Sequence, residues 1–262
     1  MSLLVKTALV TGASRGVGKG IAGSLAKEGY KVFATGRTIG NADLPDTIVR
    51  VPCDHTRDDE TAAVFAKIAA EADGLDLLVN SAWGGYERMT ENGAFTWTLP
   101  FWEQPTHRWT GMIDAGVRAA FVNSSFAAKM MVPKHHGLIV NISYWAARKH
   151  IANVIYGISK AATDKMTADM AHELREHDIA VVSLYPGLVR TEAVLAAAQA
   201  GWLDIKNSES PEFIGRVIAV LARQPDLAAY HGKVLIAAEL GDKFGVRDSD
   251  GRQPRPLTLE TA

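Results

Sequence analysis

Residues 4–29 read LVKTALVTGASRGVGKGIAGSLAKEG, and this stretch decides the fold. Its first part, residues 4–10, is a short apolar run that predicts a buried strand. A glycine-rich turn follows directly, and residues 17–27 then have the apolar spacing of a helix that ends at Gly29. In a strand–turn–helix unit of this kind, backbone N–H groups and the helix N-terminus bind a pyrophosphate. A tight turn that binds no ligand is the alternative interpretation.

The rest of the chain repeats this alternation of apolar runs and helical segments. Further strands are predicted at residues 31–35, 48–51, 75–79, 138–142, 179–184 and 232–236. Further helices are predicted at residues 58–72, 109–131 and 211–223, with one more that continues through Leu174. Such alternation is typical of an α/β domain. We therefore expect one domain over residues 1–262, a Rossmann-type doubly wound parallel sheet of about seven strands with helices on both faces.

Composition excludes several classes of partner. Apolar residues make up 47% of the 262, enough for a sheet covered on both faces. With 28 basic against 29 acidic residues, neither nucleic acid nor an anionic membrane is an expected partner. Cys53 is the single cysteine, and the eight histidines lack metal-ligand spacing, so we expect neither a disulfide nor a metal site. The chain start lacks a signal-peptide layout and no apolar segment has membrane-spanning length, which predicts a cytoplasmic protein.

Tyr156 and Lys160 stand four positions apart in a predicted helix, so their side chains share one face. A phenol with an ordinary pKa of about 10 is a poor acid or base at neutral pH. We expect the Lys160 ammonium to lower the pKa of Tyr156 toward neutrality, as acid–base catalysis requires. Ser143 follows the apolar run 138–142, where its hydroxyl could hold a substrate oxygen. Taken alone, the Tyr–Lys spacing has an alternative interpretation, a surface pair on an amphipathic helix with the lysine charge in water.

Taken in their order along the chain, these motifs resemble those of the short-chain dehydrogenase/reductase family. The motifs are Thr11–Gly18, Asn80, Ser143, Tyr156-x-x-x-Lys160 and Pro186-Gly187. The resemblance covers nearly the whole chain and implies an oxidoreductase of the carbonyl reductase type, with the serine, tyrosine and lysine as catalytic residues. Shorter stretches resemble the dehydrogenase/reductase member 1 subgroup, among them Phe101-Trp102-Glu103, Met131-Val132-Pro133 and His172-Glu173-Leu174-Arg175.

Two arginines favour NADP(H) over NAD(H) as the cofactor. In dinucleotide-binding folds an acidic residue at the end of the second strand binds the ribose hydroxyls, whereas an arginine there binds a 2′-phosphate. No acidic residue lies between Lys31 and Arg37, and Arg15 in the glycine turn is a second cation able to reach the same phosphate. The alternative is that both arginines are solvated surface charges.

The family resemblance also implies a set of cofactor-binding residues. The set is Gly12, Ser14, Arg15, Gly16, Val17, Gly18, Arg37, Asp54, Asn80, Tyr156, Lys160, Pro186, Gly187, Val189 and Thr191. In the family pattern Asp54 would lie at the adenine edge and Val189 at the nicotinamide carboxamide. Thr191 would lie near the carboxamide or the phosphates, and Lys160 would also hold the nicotinamide ribose.

Aromatic residues in irregular segments are candidates for substrate binding. Residues 83–106 mix aromatics with Gly and Pro too irregularly for a helix or strand, which predicts a loop that forms a wall of the substrate pocket. The alternative is that the aromatic side chains of this loop simply pack on their own domain. Three tryptophans indicate a bulky apolar carbonyl or alcohol substrate. They are Trp83 in this loop, Trp145 two residues after Ser143, and Trp202 in a lid predicted at 192–210. The tail, from about residue 240 to 262, is predicted to be extended.

Gly116 departs from the family pattern. Many members have at the matching position a catalytic asparagine that holds a water beside the lysine, so a relay through such a water is in question here. This supports a second hypothesis, a non-catalytic NADP(H)-binding sensor or scaffold, against which stand the intact serine, tyrosine and lysine. In the family two helices pair with another subunit, and small residues such as Ala161 and Ala168 would allow it, which predicts a homodimer or homotetramer. A helix buried within one chain is the alternative.

Overall fold

The computed structural model describes residues 5–262, and within these residues seven parallel strands form one sheet. In chain order the strands of the protein are β1 (Thr7–Val10), β2 (Lys31–Gly36), β3 (Val49–Pro52), β4 (Leu77–Asn80), β5 (Thr90–Glu91), β6 (Ala94–Phe95), β7 (Gly137–Ile142), β8 (Ile179–Tyr185) and β9 (Val234–Ile236). The sheet order is β3-β2-β1-β4-β7-β8-β9, which confirms the predicted doubly wound α/β fold. Leu4, included in the first predicted strand, lies outside the described residues.

Helices cover both faces of this sheet. They are α1 (Gly16–Lys27), α2 (Asp58–Glu71), α3 (His107–Trp109), α4 (Ala119–Met131), α5 (Val154–Leu174), α6 (Glu192–Gln199), α7 (Pro211–Leu221) and α8 (Ala237–Phe244). One buried layer packs α1, α7 and α8 on the sheet, and the other packs α2, α4 and α5 on it. Neighbouring residues of β1 illustrate the alternation, because Ala8 and Val10 belong to the first layer and Leu9 to the second.

Strand β1 is the topological switch point of the sheet, because β2 and β3 lie on one side of it and β4 and the later strands lie on the other. Crevices at such switch points, beyond the carboxyl ends of the strands, are where α/β folds bind ligands. Here one hydroxyl joins the segments on either side of the crevice, since Thr11 Oγ1 accepts hydrogen bonds from the N–H groups of Ser81 and Ala82, both at 3.1 Å. The two segments that follow β1 and β4 are therefore held side by side.

The structure corrects the prediction that residues 83–106 are entirely irregular. Strands β5 and β6 form a short antiparallel hairpin in this loop. Asn92 and Gly93 connect them with positive φ angles of 49° and 81°, which suits a two-residue hairpin turn. The prediction missed the hairpin because each strand has only two residues, too few for a detectable alternation.

The tail and the long predicted helix also differ in part from expectation. The tail is not extended from residue 240, because α8 continues to Phe244 and ends at Gly245 in the left-handed region. The predicted helix at 109–131 is confirmed as helical throughout, but its segment Thr110–Arg118 is wound as a π-helix that connects α3 to α4. Segments of this kind frequently occur at functional sites.

We predict opposite stability effects for two glycines of α1. A Cβ atom on Gly20 would lie 2.2 Å from Pro211 Cβ at the start of α7, whereas a Cβ on Gly23 meets open space. Gly20→Ala should therefore lower the free energy of unfolding by about 1–3 kcal/mol through overpacking. Gly23→Ala is the matched control and should raise it by about 0.5–1 kcal/mol, because alanine favours the helix. Urea unfolding measures both; equal effects of the two substitutions would contradict the α1–α7 packing.

Candidate active site

The N-terminus of α5 positions the tyrosine and the lysine. The Asn153 side chain caps this helix by accepting a hydrogen bond from the Tyr156 N–H at 2.9 Å. The cap places Tyr156 in the first turn and Lys160 one turn later on the same face. Both side chains are withdrawn from solvent, with exposed fractions of 4% for Tyr156 and 8% for Lys160.

A buried chain of polar side chains fixes α5 to the sheet. Asn141 of β7 accepts a hydrogen bond from Asn80 of β4 at 2.9 Å and donates one to Thr167 of α5 at 2.9 Å. Ser183 of β8 donates to the same Thr167 hydroxyl, also at 2.9 Å. Since every one of these four side chains is buried, the hydrogen bonds determine where α5 lies relative to three strand ends. Asn80 thus supports the sheet, and its contact with a cofactor stays a prediction.

Ser143, Tyr156 and Lys160 converge at the carboxyl end of β7. The Ser143 hydroxyl donates to the Lys160 carbonyl oxygen at 3.3 Å, and Lys160 Nζ donates to the Ile142 carbonyl oxygen at 3.3 Å. Lys160 Nζ lies 6.0 Å from the centre of the Tyr156 ring. The predicted hydroxyl, phenol and ammonium are therefore within one small region.

The predicted lowering of the Tyr156 pKa is wrong for this arrangement. Burial raises the pKa of the Tyr156 phenol well above its ordinary value, and the neighbouring Tyr86 and Tyr144 raise it further. Burial also lowers the pKa of Lys160 to about 8, against a smaller opposing effect of Asp164. Removal from water is the largest cause of both pKa shifts, and sequence spacing does not reveal it.

Aromatic rings surround the Tyr156 ring on several sides. The ring centres of Trp83, Trp97, Tyr86 and Tyr144 lie 5.5, 5.7, 6.4 and 6.3 Å from that of Tyr156. The Tyr86 and Tyr156 hydroxyls are hydrogen-bonded at 3.3 Å. Of these four, Trp83 was predicted individually to bind substrate, and Tyr86 and Trp97 belong to the aromatic loop predicted to form a wall of the pocket. Tyr144, which directly follows Ser143, was missed.

Trp83 fills the space beside Gly116. A Cβ atom on Gly116 would lie 2.6 Å from Trp83 Cδ1, so a larger side chain at position 116 cannot coexist with this indole position. The same indole ring has Lys160 Nζ 4.8 Å from its centre, within the range of a cation–π interaction. Trp83, from another segment, thus fills the space beside position 116, where the family resemblance predicted an asparagine in other members.

The other two predicted substrate tryptophans lie elsewhere. Trp145 packs edge-on against Tyr185, with ring centres 5.4 Å apart. Trp202 lies on the surface after α6 and is 83% exposed. Within residues 5–262, Trp83 is the one of these three tryptophans whose ring contacts that of Tyr156.

The glycine turn after β1 fits the phosphates of a dinucleotide. Gly12 has a φ of +66°, and a Cβ there would lie 2.6 Å from Ala82 Cα. A Cβ on Gly18 would lie 2.4 Å from the Gly12 carbonyl oxygen, so both positions need glycine. Val17 packs its side chain partly into the core, and the buried Ser14 hydroxyl finds no hydrogen-bond partner within the described chain. An unsatisfied hydroxyl at the start of a helix suits an oxygen-rich ligand.

Arg15 and Arg37 come together as predicted, and a carboxylate lies between them. Glu87 Oε1 accepts from Arg15 Nη2 at 2.9 Å and from Arg37 Nη2 at 2.6 Å. The hydrogen bond and the charge of Glu87 raise the pKa of Arg37. Both guanidinium groups therefore point at one oxygen atom, which is the geometry of an anion-binding site.

A second carboxylate caps the glycine turn. Glu192 Oε2 accepts a hydrogen bond from the Gly16 N–H at 3.0 Å, and its Oε1 pairs with Lys19 Nζ at 3.0 Å. Partial burial alone would raise the pKa of Glu192, but hydrogen bonds from its own N–H, Lys19 and Gly16 lower the net pKa. The adjacent Thr191 accepts from the Val194 N–H as the cap of α6, and its methyl group would touch a Cβ on Gly16 at 3.4 Å.

The remaining predicted cofactor residues lie at the same edge of the sheet. The Asp54 carboxylate accepts hydrogen bonds from the N–H and hydroxyl of Thr56 at 3.0 and 2.8 Å. The segment Pro186–Val189 is fixed by Glu209, whose carboxylate accepts from the Gly187 N–H and whose backbone pairs with Val189. Burial raises the pKa of Glu209 to about 8. Sequence reasoning missed Glu209, because its partner lies 22 residues away.

The described part of the chain contains neither a cluster of metal ligands nor a membrane-spanning helix. Within residues 5–262, no group of three or more His, Cys, Asp and Glu side chains could hold a metal ion. None of the helices there is both long and apolar enough to cross a membrane.

Known proteins share this arrangement of sequence and fold. The family model for short chain dehydrogenases matches residues 6–200. The mouse protein Dehydrogenase/reductase SDR family member 1 is 37% identical over 264 residues, which cover 93% of this chain and 83% of the relative. The 3-oxoacyl-[acyl-carrier-protein] reductase of Vibrio cholerae is 29% identical over 252 residues, with coverages of 90% and 96%.

Solved structures show the same fold. ElxO with NADP bound has a TM-score of 0.76 at 22% identity and covers 89% of this chain and 97% of its own. A 3-ketoacyl-(acyl-carrier-protein) reductase from Brucella melitensis complexed with NADH has a TM-score of 0.75 at 21% identity, with coverages of 90% and 97%. One of these neighbours therefore holds the phosphorylated cofactor and the other the unphosphorylated one.

We predict that Lys160→Met stabilises the protein. Holding a buried ammonium whose pKa falls from 10.5 to about 8 costs stability at pH 7, and methionine removes that cost. The free energy of unfolding at pH 7 should rise by about 1–3 kcal/mol relative to wild type. The difference should shrink between pH 8 and 10.5, because the wild-type lysine then loses its proton in the folded state before it does so in the unfolded state.

Lys165→Met, an exposed position on the same helix, is the control for this measurement. Its ion pair with Asp169 lies in water, so unfolding at pH 7 should change by less than about 0.5 kcal/mol. A destabilised Lys160→Met protein, or a difference between variant and wild type that is the same at pH 7 and 10, would show that desolvation of the ammonium is not the dominant cost.

Proposed function

The chain belongs to the short-chain dehydrogenase/reductase family, in its member 1 subgroup, and on this premise we propose that it is an NADP(H)-dependent carbonyl reductase or alcohol dehydrogenase. The observation that carries the proposal is the convergence of Ser143, Tyr156 and Lys160 at the carboxyl end of β7. These three side chains provide a hydrogen-bond donor, an acid–base group and a cation at the ligand-binding edge of the sheet.

The proposed mechanism assigns each side chain one task. A bound nicotinamide supplies or accepts hydride, a chemistry that amino-acid side chains lack. Tyr156 gives its proton to the substrate oxygen during reduction and takes it back during oxidation. Lys160 stabilises the phenolate that remains, and Ser143 turns its hydroxyl from the Lys160 carbonyl to the substrate oxygen. The Tyr86 hydroxyl now occupies this hydrogen-bonding position on Tyr156, so the substrate must displace it.

The proposed preference for NADP(H) is supported by the two guanidinium groups that share one anion site. Arg15 and Arg37 both bind the Glu87 carboxylate, and a 2′-phosphate offers oxygens of the same charge and geometry. A ribose hydroxyl in the same place carries no charge, so it gains no ion pair with either guanidinium group.

The rings around Tyr156 support a bulky apolar substrate. Trp83, Trp97 and Tyr144 pack their rings within 6.3 Å of the ring centre of Tyr156, so the surroundings of the proposed acid–base group are largely aromatic. Sites of this composition bind ligands through apolar contact and orient them with a small number of hydrogen bonds. An aryl or extended alkyl ketone fits this chemistry better than a small polar one.

The proposed assembly is a homodimer or homotetramer formed through α4 and α5. Phe121 of α4 is 56% exposed, and Ile158 of α5 is also exposed beside the small Ala161. Exposed apolar side chains next to small residues are typical of close helix pairing between subunits. The cytoplasmic location stays a prediction.

We predict that Tyr156→Phe abolishes turnover but retains cofactor binding. Loss of the acid–base hydroxyl should lower kcat by about 10²–10⁴-fold, because proton transfer then lacks its donor. NADPH consumption with a panel of aryl ketones and quinones measures turnover, and quenching of tryptophan fluorescence measures binding. If wild type and variant both bind NADPH and neither turns over any ketone, the non-catalytic sensor explains the protein better.

We predict that Arg37→Ala and Arg15→Ala weaken NADPH binding selectively. Each substitution removes a charge-assisted contact with the 2′-phosphate and should raise the Kd for NADPH about tenfold or more. The Kd for NADH should change by less than about threefold, since its ribose carries no phosphate. Arg118→Ala, which breaks a surface pair with Asp58, is the control. Equal wild-type affinities for NADPH and NADH would refute the preference.

A further inference from the structure

The chain places its own carboxylates on both anion-binding positions of the cofactor site. Glu87 lies between Arg15 and Arg37, where the 2′-phosphate is proposed to bind. Glu192 accepts from the Gly16 N–H and pairs with Lys19, at the turn that fits the pyrophosphate. The two carboxylates come from separate segments, the aromatic loop and the start of α6, yet each lies on a group that a dinucleotide phosphate requires.

We propose that Glu87 and Glu192 determine cofactor affinity and selectivity by acting as internal anions that the dinucleotide must displace. Glu87 competes only with the 2′-phosphate, so it affects NADP(H) alone. Glu192 competes with the pyrophosphate, which NADP(H) and NAD(H) share, so it affects both. This inference rests on the proposed function, because it takes the cofactor to be a nicotinamide dinucleotide.

The exposure of these contacts makes them replaceable. The Glu87 side chain is 34% exposed and that of Glu192 55%, so water weakens both ion pairs. A phosphate carries more charge and more acceptor oxygens than a carboxylate, and it can take over the same donors. A site that is blocked part of the time binds its ligand more weakly, because its apparent affinity is the intrinsic affinity multiplied by the fraction of molecules in which the site is open.

Selectivity follows from the difference between the two ribose substituents. The 2′-phosphate of NADPH gives Arg15 and Arg37 a new anionic partner when Glu87 leaves. The 2′-hydroxyl of NADH has no charge to exchange, so Glu87 stays on the arginines. The carboxylate therefore weakens NADPH binding somewhat, but it also keeps the two cations paired in the free protein, where they would otherwise repel each other.

The exchange also concerns the reacting tyrosine. Glu87 directly follows Tyr86, whose hydroxyl is hydrogen-bonded to Tyr156. Withdrawal of Glu87 by the arriving 2′-phosphate moves the neighbouring phenol, which opens the Tyr156 hydroxyl to the substrate. Glu192 begins α6 in the predicted lid, so its release removes the contacts that tie the start of this helix to Gly16 and Lys19.

Removal of each charge tests the proposal through the ratio of two affinities. The Kd values of NADPH and NADH are measured at low ionic strength, by fluorescence titration, for wild type, Glu87→Gln, Glu192→Gln and the double variant. Glu87→Gln should tighten NADPH about two- to tenfold and leave NADH within about twofold. Glu192→Gln should tighten both cofactors by a similar factor of about two to ten. Glu103→Gln, at an exposed carboxylate of the same loop, should change neither.

The other outcomes separate this inference from the proposed function. Weaker NADH binding by Glu87→Gln would show that Glu87 is a ribose ligand. Unchanged or weaker NADPH binding by the same variant would show that Glu87 does not compete with the 2′-phosphate. Either result overturns the proposed role of Glu87. Weaker binding of both cofactors by Glu192→Gln overturns the role of Glu192. A wild type without preference, in which Glu87→Gln creates one for NADPH, supports the inference and refutes the proposed preference. Binding of neither cofactor by wild type and double variant overturns both.

Discussion

The hydrogen bonds that join Asn80, Asn141, Thr167 and Ser183 are the constraint on which the active edge depends. They connect three neighbouring strands to α5 in the interior, where water cannot replace a lost partner. Hydrogen bonds require a defined geometry, so together with those of Ser143 and Lys160 at the end of β7 they fix the rotation of α5 about its axis. With the rotation of α5 fixed, one face of its first turns meets the end of β7, and the phenol and the ammonium lie there together.

The same edge carries several groups that reduce stability. Lys160 keeps an ammonium almost out of solvent, and Glu209 keeps a carboxyl group buried enough to raise its pKa to about 8. The Ser14 hydroxyl is buried without a partner in the described chain. Proteins retain such groups where chemistry or binding requires them, and the apolar layers on both sides of the sheet offset the cost. Their concentration at one end of the strands is itself consistent with a ligand-binding edge.

Sequence determines the framework of this protein more directly than the contents of its site. The strand at Ile179–Tyr185 and the helix at Gly16–Lys27 were predicted within one residue, because apolar periodicity is local. Glu87 pairs with arginines 72 and 50 residues away, so no local pattern indicates that contact. The direction of the Tyr156 pKa shift was also wrong, since it depends on burial by rings from a distant loop.

The packing of Trp83 against Gly116 makes the two positions interdependent. Gly116→Asn would force a side chain into the space of the indole ring. Replacing Trp83 would leave a cavity beside Lys160 and remove a cation–π contact. The effects of the two substitutions on stability should therefore be non-additive, because a smaller residue at position 83 makes room for a larger one at position 116.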